Sequence, residues 1–496
     1  MLSLPVLNET APIRRCNRFA ISHHPTEKRM TNNTNWKKIT LLLCVLVYCC
    51  DAGQASDTAK PNIIFIFADD WGYGDLSYHG SSFCKTPHLD RMAKEGIDFA
   101  NFTVNSPVCS PSRVAVMTGQ FPARHCVHQH FQSVKAHIQR GMPDWLDPQA
   151  PTLPRMLKNS GYKTGHFGKW HLGNVADSPA EDAYGYDRFA TFNGSGNIEI
   201  KKDGLASVDH AIKFIKEFKR EPFFVNLWLH EAHLAHFPQP KYLQQFKDLD
   251  EQKRVYASVI AEGDEGVGRI LSLLKDLKID DNTLVAFSTD NGPEFTKDVT
   301  HKYHGKDESS GLGGYYSVGE TGGLKGRKRS LFASGIRVPF IVRWPGVVPA
   351  GKTDTTSVLT AVDLLPTFLD VAGESLPEGY KPDGQSALAA FKGEPWQRTK
   401  PIFWQWKGGD NQDYTWPSSG VRDGKWKLLV NEERNLMELY DLESDWAEKH
   451  NVAGDYPEII RNLSEKLDTW TASLPAAPST NSLSKSRKKL LKNNTR

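Results

Sequence analysis

Residues Asn62–Ala68, NIIFIFA, form a continuous apolar run of strand length, and two aspartates, Asp69 and Asp70, follow it directly. A strand that is apolar at every position is covered on both faces, which predicts a sheet lying between layers of helices. Open sheets of this kind bind ligands beyond the carboxyl ends of their strands. The two aspartates therefore indicate a site at that edge of the sheet.

The same arrangement recurs later in the chain. Apolar residues at helical spacing precede a turn and the strand-like run TLVAFS, after which Asp290 and Asn291 are followed by Gly292. The helix is expected at 256–277, the turn at 280–282 and the strand at 283–288. Two further apolar runs, at 223–229 and 338–343, predict additional strands of the same sheet. This alternation predicts an α/β fold with a large mixed, mostly parallel sheet flanked by helices.

The pattern changes after Gly373, where the chain becomes rich in proline and glycine. Short strand-like runs at 402–406 and 425–430 and a helical pattern at 456–474 predict a smaller C-terminal subdomain of antiparallel strands and a helix. We expect a main domain at 56–380, this subdomain at 381–475, and a basic tail at 476–496. The tail is rich in lysine and arginine without aromatic residues, which predicts a solvated, disordered end.

The first 55 residues read as an N-terminal extension and a signal peptide. Lys37 and Lys38 precede an apolar run at 39–48, which is too short to span a bilayer but suits a signal-peptide core. We expect translation to start at Met30, cleavage to follow Ala55, and the protein to be exported to the periplasm or the extracellular space without stable membrane insertion. The alternative is a lipoprotein anchor on one of the two cysteines at 49–50.

Charge and cysteine content narrow the partners and the chemistry. The formal net charge of +3 comes from 61 basic and 58 acidic residues, which predicts no nucleic-acid partner. Four of the seven cysteines fall in the first 55 residues, leaving Cys84, Cys109 and Cys126. An odd number in an exported protein suggests that one cysteine has a special chemical role, while Cys84 and Cys126 can pair or stay free.

The strand-end residues Asp69, Asp70, Asp290 and Asn291 offer only oxygen ligands. Such a set suits calcium or magnesium rather than zinc, and calcium fits best. Taken separately, each pair is also a common turn sequence, so a metal site depends on their coming together in the fold.

Two motifs resemble the sulfatase family. Residues 107–119, PVCSPSRVAVMTG, contain Cys109, Pro111 and Arg113 in the family's C-x-P-x-R order, with Gly119 at the family's position. Residues 161–171, GYKTGHFGKWH, match a second family stretch, apart from a bulky Phe167. The similarity runs from residue 61 to about 453, which includes the LYDLESD stretch at 439–445.

The resemblance implies an alkaline-phosphatase-like fold and a particular nucleophile. Sulfatases oxidise the motif cysteine, here Cys109, to formylglycine, and a hydroxyl of the hydrated aldehyde attacks the sulfur of a sulfate monoester. A formylglycine-generating or anaerobic sulfatase-maturating enzyme would therefore be a partner. One Ca²⁺ per site would be held by the family's metal ligands, which correspond to Asp69, Asp70, Asp290, Asn291 and the modified residue 109.

Basic residues receive roles by the same correspondence. Arg113 would steady the hydrated aldehyde, and Lys169 and Lys328 would bind sulfate oxygens. His171 would take the proton whose loss expels sulfate, and His233 would bind sulfate and protonate the leaving alcohol. Lys325 competes with Lys328 for its place, because Ala333 and Ser334 depart from the family pattern nearby.

The motifs are most similar to those of N-acetylgalactosamine-6-sulfatases, which implies a sulfated carbohydrate substrate such as a glycosaminoglycan. Two alternatives stay open: a metal-dependent phosphoesterase of the same superfamily, and a non-catalytic glycan binder if Cys109 is unmodified. We expect loops 173–200 and 296–321 to select the substrate. Further candidates for the substrate cleft, each equally consistent with a structural role, are His230, His236, His301, His304, Trp404 and Trp406.

Overall fold

The computed structural model describes residues 60–494 apart from 196–197, 199–204, 235, 295–301, 304–313, 316 and 409–414. The expected signal peptide, His301, His304 and most of loop 296–321 lie outside the described residues. Described residues from 60 onward belong to one compact unit.

An eight-stranded sheet forms the centre of the fold, with strand order β11-β2-β10-β7-β1-β6-β4-β5. Strand β10 runs antiparallel to both neighbours, and the other adjacent pairs are parallel. The strands are β1 (Asn62–Ala68), β2 (Ile97–Phe99), β3 (Phe102–Thr103), β4 (Lys163–Lys169), β5 (Arg188–Phe192), β6 (Phe223–Trp228), β7 (Thr283–Thr289), β8 (Lys302–Tyr303), β9 (Gly314–Tyr315), β10 (Phe340–Arg343), β11 (Lys352–Asp354), β12 (Leu359–Thr360), β13 (Ile402–Gln405), β14 (Ser419–Asp423), β15 (Trp426–Val430) and β16 (Met437–Asp441). The predicted α/β fold with a mixed, mostly parallel sheet is confirmed.

Helices cover both faces of this sheet. The α-helices of the described residues are α1 (Pro87–Lys94), α2 (Cys109–Thr118), α3 (Val134–Gln139), α4 (Leu153–Asn159), α5 (Ala206–Phe218), α6 (Pro240–Gln245), α7 (Glu251–Asp276), α8 (Ala333–Ile336), α9 (Leu364–Val371), α10 (Leu388–Phe391), α11 (Pro457–Ala472) and α12 (Lys485–Asn494). Alternate residues of β1 enter different hydrophobic clusters: Phe65 packs with apolar residues of α2, α4 and α9, and Ile66 packs with those of α1, α5 and α7. Two covered faces explain why every residue of β1 is buried.

The C-terminal part contains a separate antiparallel sheet, β13-β14-β15-β16, against which α11 packs. Its inner residues, including Trp404 and Leu428, belong to the same hydrophobic cluster as Phe65 of the large sheet. The predicted antiparallel strands and helix are therefore present, and they share a core with the main sheet.

The prediction of a disordered basic tail is wrong for residues 476–494. Helix α12 lies within this segment, and Arg487 is only 6% exposed. Its guanidinium group pairs with the fully buried carboxylate of Asp144 at 3.0 Å. Asp144 needs this cation, because a buried carboxylate left unpaired costs about 3–5 kcal/mol, and composition alone gives no sign of the contact.

No helix in the described part of the chain is both long enough and apolar enough to cross a membrane.

The approach of β4 to β6 requires a glycine at position 168. Gly168 has φ +110°, and a Cβ atom there would lie 1.9 Å from the carbonyl oxygen of Trp228. Gly161 also has a positive φ, +89°, but a Cβ atom there would meet open space. We expect Gly161→Ala to cost about 1–2 kcal/mol of unfolding free energy through backbone strain alone, and Gly168→Ala to cost at least about 3 kcal/mol. Urea unfolding of both variants measures this difference, and equal losses would contradict the described contact.

Candidate active site

Four neighbouring strands of the large sheet deliver polar residues to one edge. Asp69 and Asp70 follow β1, Asp290 and Asn291 follow β7, and Lys169 is the last residue of β4. The order β7-β1-β6-β4 places the carboxyl ends of these strands side by side, and His230 and His233 follow β6. Parallel pairing thus gathers residues that lie far apart in the sequence.

Cys109 is the first residue of α2 and is 3% exposed. Its Sγ atom lies 3.6 Å from Oδ1 of Asp69 and 3.4 Å from Nζ of Lys169. Burial raises the pKa of the Cys109 thiol to about 12, although the nearby ammonium group of Lys169 opposes the shift. An unmodified Cys109 is therefore a protonated thiol, which makes it a poor nucleophile at neutral pH.

The acidic part of the site fits a hard cation. Ligand atoms of Asp69, Asp70, Cys109 and His233 all lie within 4.8 Å of one another. The side-chain amide of Asn291 donates to Oδ1 of Asp70 at 2.7 Å, while its own buried Oδ1 has no hydrogen-bond partner in the described part of the chain. A buried oxygen left without a partner beside two carboxylates is what an oxygen-liganded cation requires.

Asp290 joins the acidic and basic parts of the site. Its Oδ1 accepts a hydrogen bond from the backbone N–H of Asp70 at 3.3 Å, and its Oδ2 lies 2.6 Å from the guanidinium of Arg113. Arg113 also lies 3.7 Å from Asp69 and donates to the carbonyl of Lys169 at 3.2 Å. All five predicted metal-binding positions are thus adjacent.

Two buried lysines face the aspartates. Nζ of Lys169 lies 2.5 Å from Oδ2 of Asp69, and Nζ of Lys328 lies 2.6 Å from Oδ2 of Asp70. Burial alone would raise the pKa of Asp69, but the positive charge of Lys169 and its other neighbours hold that pKa well below the usual range. Lys325, the competing position, instead contacts Glu438 and Tyr440, so the structure assigns Lys328 to the site.

The hydrogen bonds of His171 fix its tautomer. Its Nε2 lies 3.0 Å from the carbonyl oxygen of Phe131, and because a carbonyl can only accept, Nε2 carries the hydrogen. Burial, together with the charge of Lys169, lowers the pKa of His171 well below its ordinary value. The ring is therefore neutral, and its buried Nδ1, which has no partner among the described residues, is an unprotonated base.

His233 presents its other nitrogen to the site. Its Nδ1 donates to the carbonyl of Leu234 at 2.6 Å, and its Nε2 lies 3.9 Å from Oδ2 of Asp70. The side chain is 27% exposed, so this ring stands between the buried aspartates and solvent. Burial and the charge of Lys169 lower its pKa well below the ordinary value.

Sequence reasoning gave two residues of the site too little weight or missed them. His230, taken only as a cleft candidate, hydrogen-bonds through Nδ1 to Oδ2 of Asp69 at 2.8 Å. Glu294, which was not predicted, lies 3.3 Å from Nζ of Lys328. Their positions in the sequence could have indicated both residues, because His230 lies just after β6 and Glu294 is three residues beyond Asn291.

Other candidates lie away from this constellation. Trp404 and Trp406 are buried in the hydrophobic core, and His236 is buried with its Nε2 3.0 Å from the carbonyl of Ala232. Cys84 and Cys126 are both buried and free, so of the alternatives left open for them, the unpaired state is present.

Fold and site together define a hydrolase with an alkaline-phosphatase-like fold. The model of the Sulfatase family matches residues 61–374, and the model described as N-sulphoglucosamine sulphohydrolase, C-terminal, matches residues 319–473. The chain belongs to the sulfatase family and is a sulfuric ester hydrolase.

The chain is similar to known proteins over most of its length. An N-acetylgalactosamine-6-O-sulfatase of Bacteroides thetaiotaomicron is 28% identical, covering 84% of this chain and 94% of the relative. An N-acetylgalactosamine-6-sulfatase of Canis lupus familiaris is 31% identical over 75% of this chain and 72% of its own length. The crystal structure of Ps i-CgsB in complex with k-i-k-neocarrahexaose has a TM-score of 0.70 and 26% identity, covering 88% of this chain and 98% of that one.

A cation that binds this site only in the folded chain would raise the unfolding free energy as its concentration increases above the dissociation constant. We expect Ca²⁺ at about one hundred times its dissociation constant to add about 2.7 kcal/mol to the unfolding free energy. Asp70→Asn removes a charged ligand and should abolish most of the accompanying rise in thermal midpoint, measured by calorimetry with and without a chelator. Asp209→Asn, at an exposed carboxylate paired with Arg269, is the matched control. Equal responses of the two variants would place the cation elsewhere.

Proposed function

We propose that this sulfatase hydrolyses sulfate esters of a sulfated carbohydrate, with formylglycine made from Cys109 as its nucleophile and one Ca²⁺ in the site. The observation that carries the proposal is the position of Cys109, buried at the start of α2 between Asp69 and Lys169. As an unmodified thiol with a raised pKa, this residue would be inert. Conversion to an aldehyde gives the site a reactive group at that position.

The chain's own residues divide the binding work. Asp69, Asp70, Asp290 and Asn291, with residue 109, would hold the Ca²⁺, which when bound neutralises charge on the sulfate oxygens. Hydrated formylglycine would supply two hydroxyls: one would attack sulfur and lose its proton to Asp290, and deprotonation of the other would release sulfate.

The lysines and Arg113 have complementary roles. Lys169 and Lys328 bind the remaining sulfate oxygens, because their ammonium groups lie on either side of the aspartate pair. Arg113 pairs with Asp290 and Asp69 and so fixes their positions, and it would also stabilise the hydrated residue 109.

The histidines move the protons. His233 protonates the leaving alcohol, since an anionic sulfate bound beside it raises the low pKa that burial gives this ring. His171 would accept the proton of the second hydroxyl at Nδ1, which has no partner among the described residues, and the electron pair of that O–H bond would form the C=O bond as the bond to sulfate breaks. The aldehyde is thereby restored.

Burial of Cys109 also bears on maturation. A thiol only 3% exposed cannot enter another enzyme's active site from the folded chain. We infer that a formylglycine-generating or anaerobic sulfatase-maturating enzyme acts before folding is complete, and that the signal-like residues 1–55 then direct export to the periplasm or beyond.

The carbohydrate substrate is supported by the relatives. Two of them are named for the 6-sulfate of N-acetylgalactosamine, and the solved structure of Ps i-CgsB contains an oligosaccharide. We therefore take 6-sulfated N-acetylgalactosamine, free and within glycosaminoglycan oligosaccharides, as the first substrates to test.

Conversion of Cys109 is open to a direct test. We expect peptide mass spectrometry of the exported, active protein to find formylglycine at position 109, and Cys109→Ala to reduce turnover to background because the nucleophile is gone. Cys84→Ala, at a buried free cysteine outside the site, is the control and should retain activity if folded. An unmodified thiol throughout an active preparation would defeat the mechanism.

The reaction class is tested with matched sulfate and phosphate monoesters of one sugar, assayed with Ca²⁺ and after chelation. We expect kcat/KM for the sulfate ester to exceed that for the phosphate ester by at least about a hundredfold. A sulfate monoester carries one negative charge and a phosphate monoester up to two, and a site complementary to the singly charged ester stabilises its transition state better by several kcal/mol. Faster turnover of phosphate would favour the phosphoesterase alternative. Binding without turnover of any ester would favour the non-catalytic one.

A further inference from the structure

The C-terminal strap, residues 475–494, forms hydrogen bonds with Asp144, which lies in a segment of the chain that leads to the active site. The carbonyl of Ser482 accepts a hydrogen bond from the backbone N–H of Asp144 at 2.8 Å, and the backbone N–H of Ser484 donates to Oδ2 of Asp144 at 2.8 Å. Arg487 completes the contact with two hydrogen bonds of 3.0 Å, one to each carboxylate oxygen of Asp144. This interaction is buried and bidentate, so it is geometrically specific.

Asp144 transmits this contact to His137. Its Oδ1 lies 2.9 Å from Nδ1 of His137, and both side chains are fully buried. Nε2 of His137 accepts a hydrogen bond from the backbone N–H of Gln132 at 2.8 Å, so Nε2 is unprotonated and Nδ1 carries the hydrogen. A carboxylate facing Nδ1 selects that tautomer, as it does in other histidine–carboxylate pairs.

The peptide group between Phe131 and Gln132 joins this relay to the active site. Its N–H donates to His137, and its C=O accepts from Nε2 of His171 at 3.0 Å. Because a trans peptide is planar, its N–H and C=O point in opposite directions, and fixing one fixes the other. The backbone N–H of Phe131 is also held, by Oγ of Ser110, the neighbour of Cys109.

The strap reaches the loop of His171 by a second route. The carbonyl of Asn481 accepts a hydrogen bond from Nε1 of Trp145 at 2.9 Å, and Trp145 forms a bridge with Gly173, two residues beyond His171. His171 itself has φ +56°, a conformation that a non-glycine residue keeps only when its surroundings impose it.

We propose that Arg487 is a positioning residue for sulfatase activity: through Asp144, His137 and the Phe131–Gln132 peptide, it orients the imidazole of His171 for proton transfer. The inference rests on the role of His171 in the proposed function. It assigns a task to a segment beyond residue 473, where the matches to the family models end.

Loss of the Arg487 side chain leaves the buried Asp144 carboxylate without its cation and loosens the relay. His171 acts in sulfate release, after the alcohol has left, so its misplacement slows kcat more than kcat/KM and lowers KM as well. We expect Arg487→Ala to reduce kcat about tenfold or more, since small displacements of catalytic groups have large effects. Arg487→Lys keeps the charge but not the two-pronged geometry and should recover part of the loss.

Amide hydrogen exchange of the full-length protein gives a readout independent of turnover. In Arg487→Ala, the amide of Gln132 should exchange faster, whereas β1 and β7 should exchange as in the unsubstituted protein. Lys489→Ala, at an exposed lysine of the same helix α12, is the matched control and should change neither exchange nor kinetics.

His171→Ala separates this inference from the function beneath it. If His171→Ala turns over at the unsubstituted rate, the proposed role of His171 fails. If His171→Ala is inactive while Arg487→Ala matches Lys489→Ala, or loses kcat and kcat/KM equally as a partly unfolded enzyme does, then only the positioning role of Arg487 is overturned.

Discussion

The site depends on a balance between buried carboxylates and buried cations. Asp69 is paired with Lys169, Asp70 with Lys328, and Asp290 with Arg113, all with little or no exposure to solvent. Removing one partner of a buried pair leaves an uncompensated charge, which costs about 3–5 kcal/mol. The three cations that surround these carboxylates therefore offset part of the cost of burying them so close together.

The sheet makes this concentration of charge possible. Its parallel strands end at one edge, so residues separated by more than two hundred positions, such as Asp70 and Asn291, come within hydrogen-bonding distance. The backbone is constrained to match: Asp70 and His171 both adopt positive φ values, 64° and 56°. Strain of this kind costs about 1–3 kcal/mol at each residue, and rigid packing around the edge keeps it in place.

Much of this arrangement was predictable from local sequence. The strand bounds agree with the apolar runs to within a residue or two, and the predicted helix at 256–277 is α7, Glu251–Asp276, because continuous apolar runs and helical spacing reflect local burial. His230 and Glu294 were underestimated for the opposite reason. Each is an ordinary residue beside a recognised motif, and only its partner across the site, Asp69 or Lys328, gives it significance.

The sequence by itself determined the α/β fold, the strand-end carboxylates and the motif residues around Cys109, because periodicity and motif spacing are written in consecutive residues. Only the tertiary structure decided which lysine enters the site and what the basic C-terminal segment does. Arg487 and Asp144 are 343 positions apart, and no local pattern records that they meet. The physical reason for their pairing is burial. The carboxylate of Asp144 lies in the interior, where an unpaired charge is costly, and the fold brings the guanidinium of Arg487 to it.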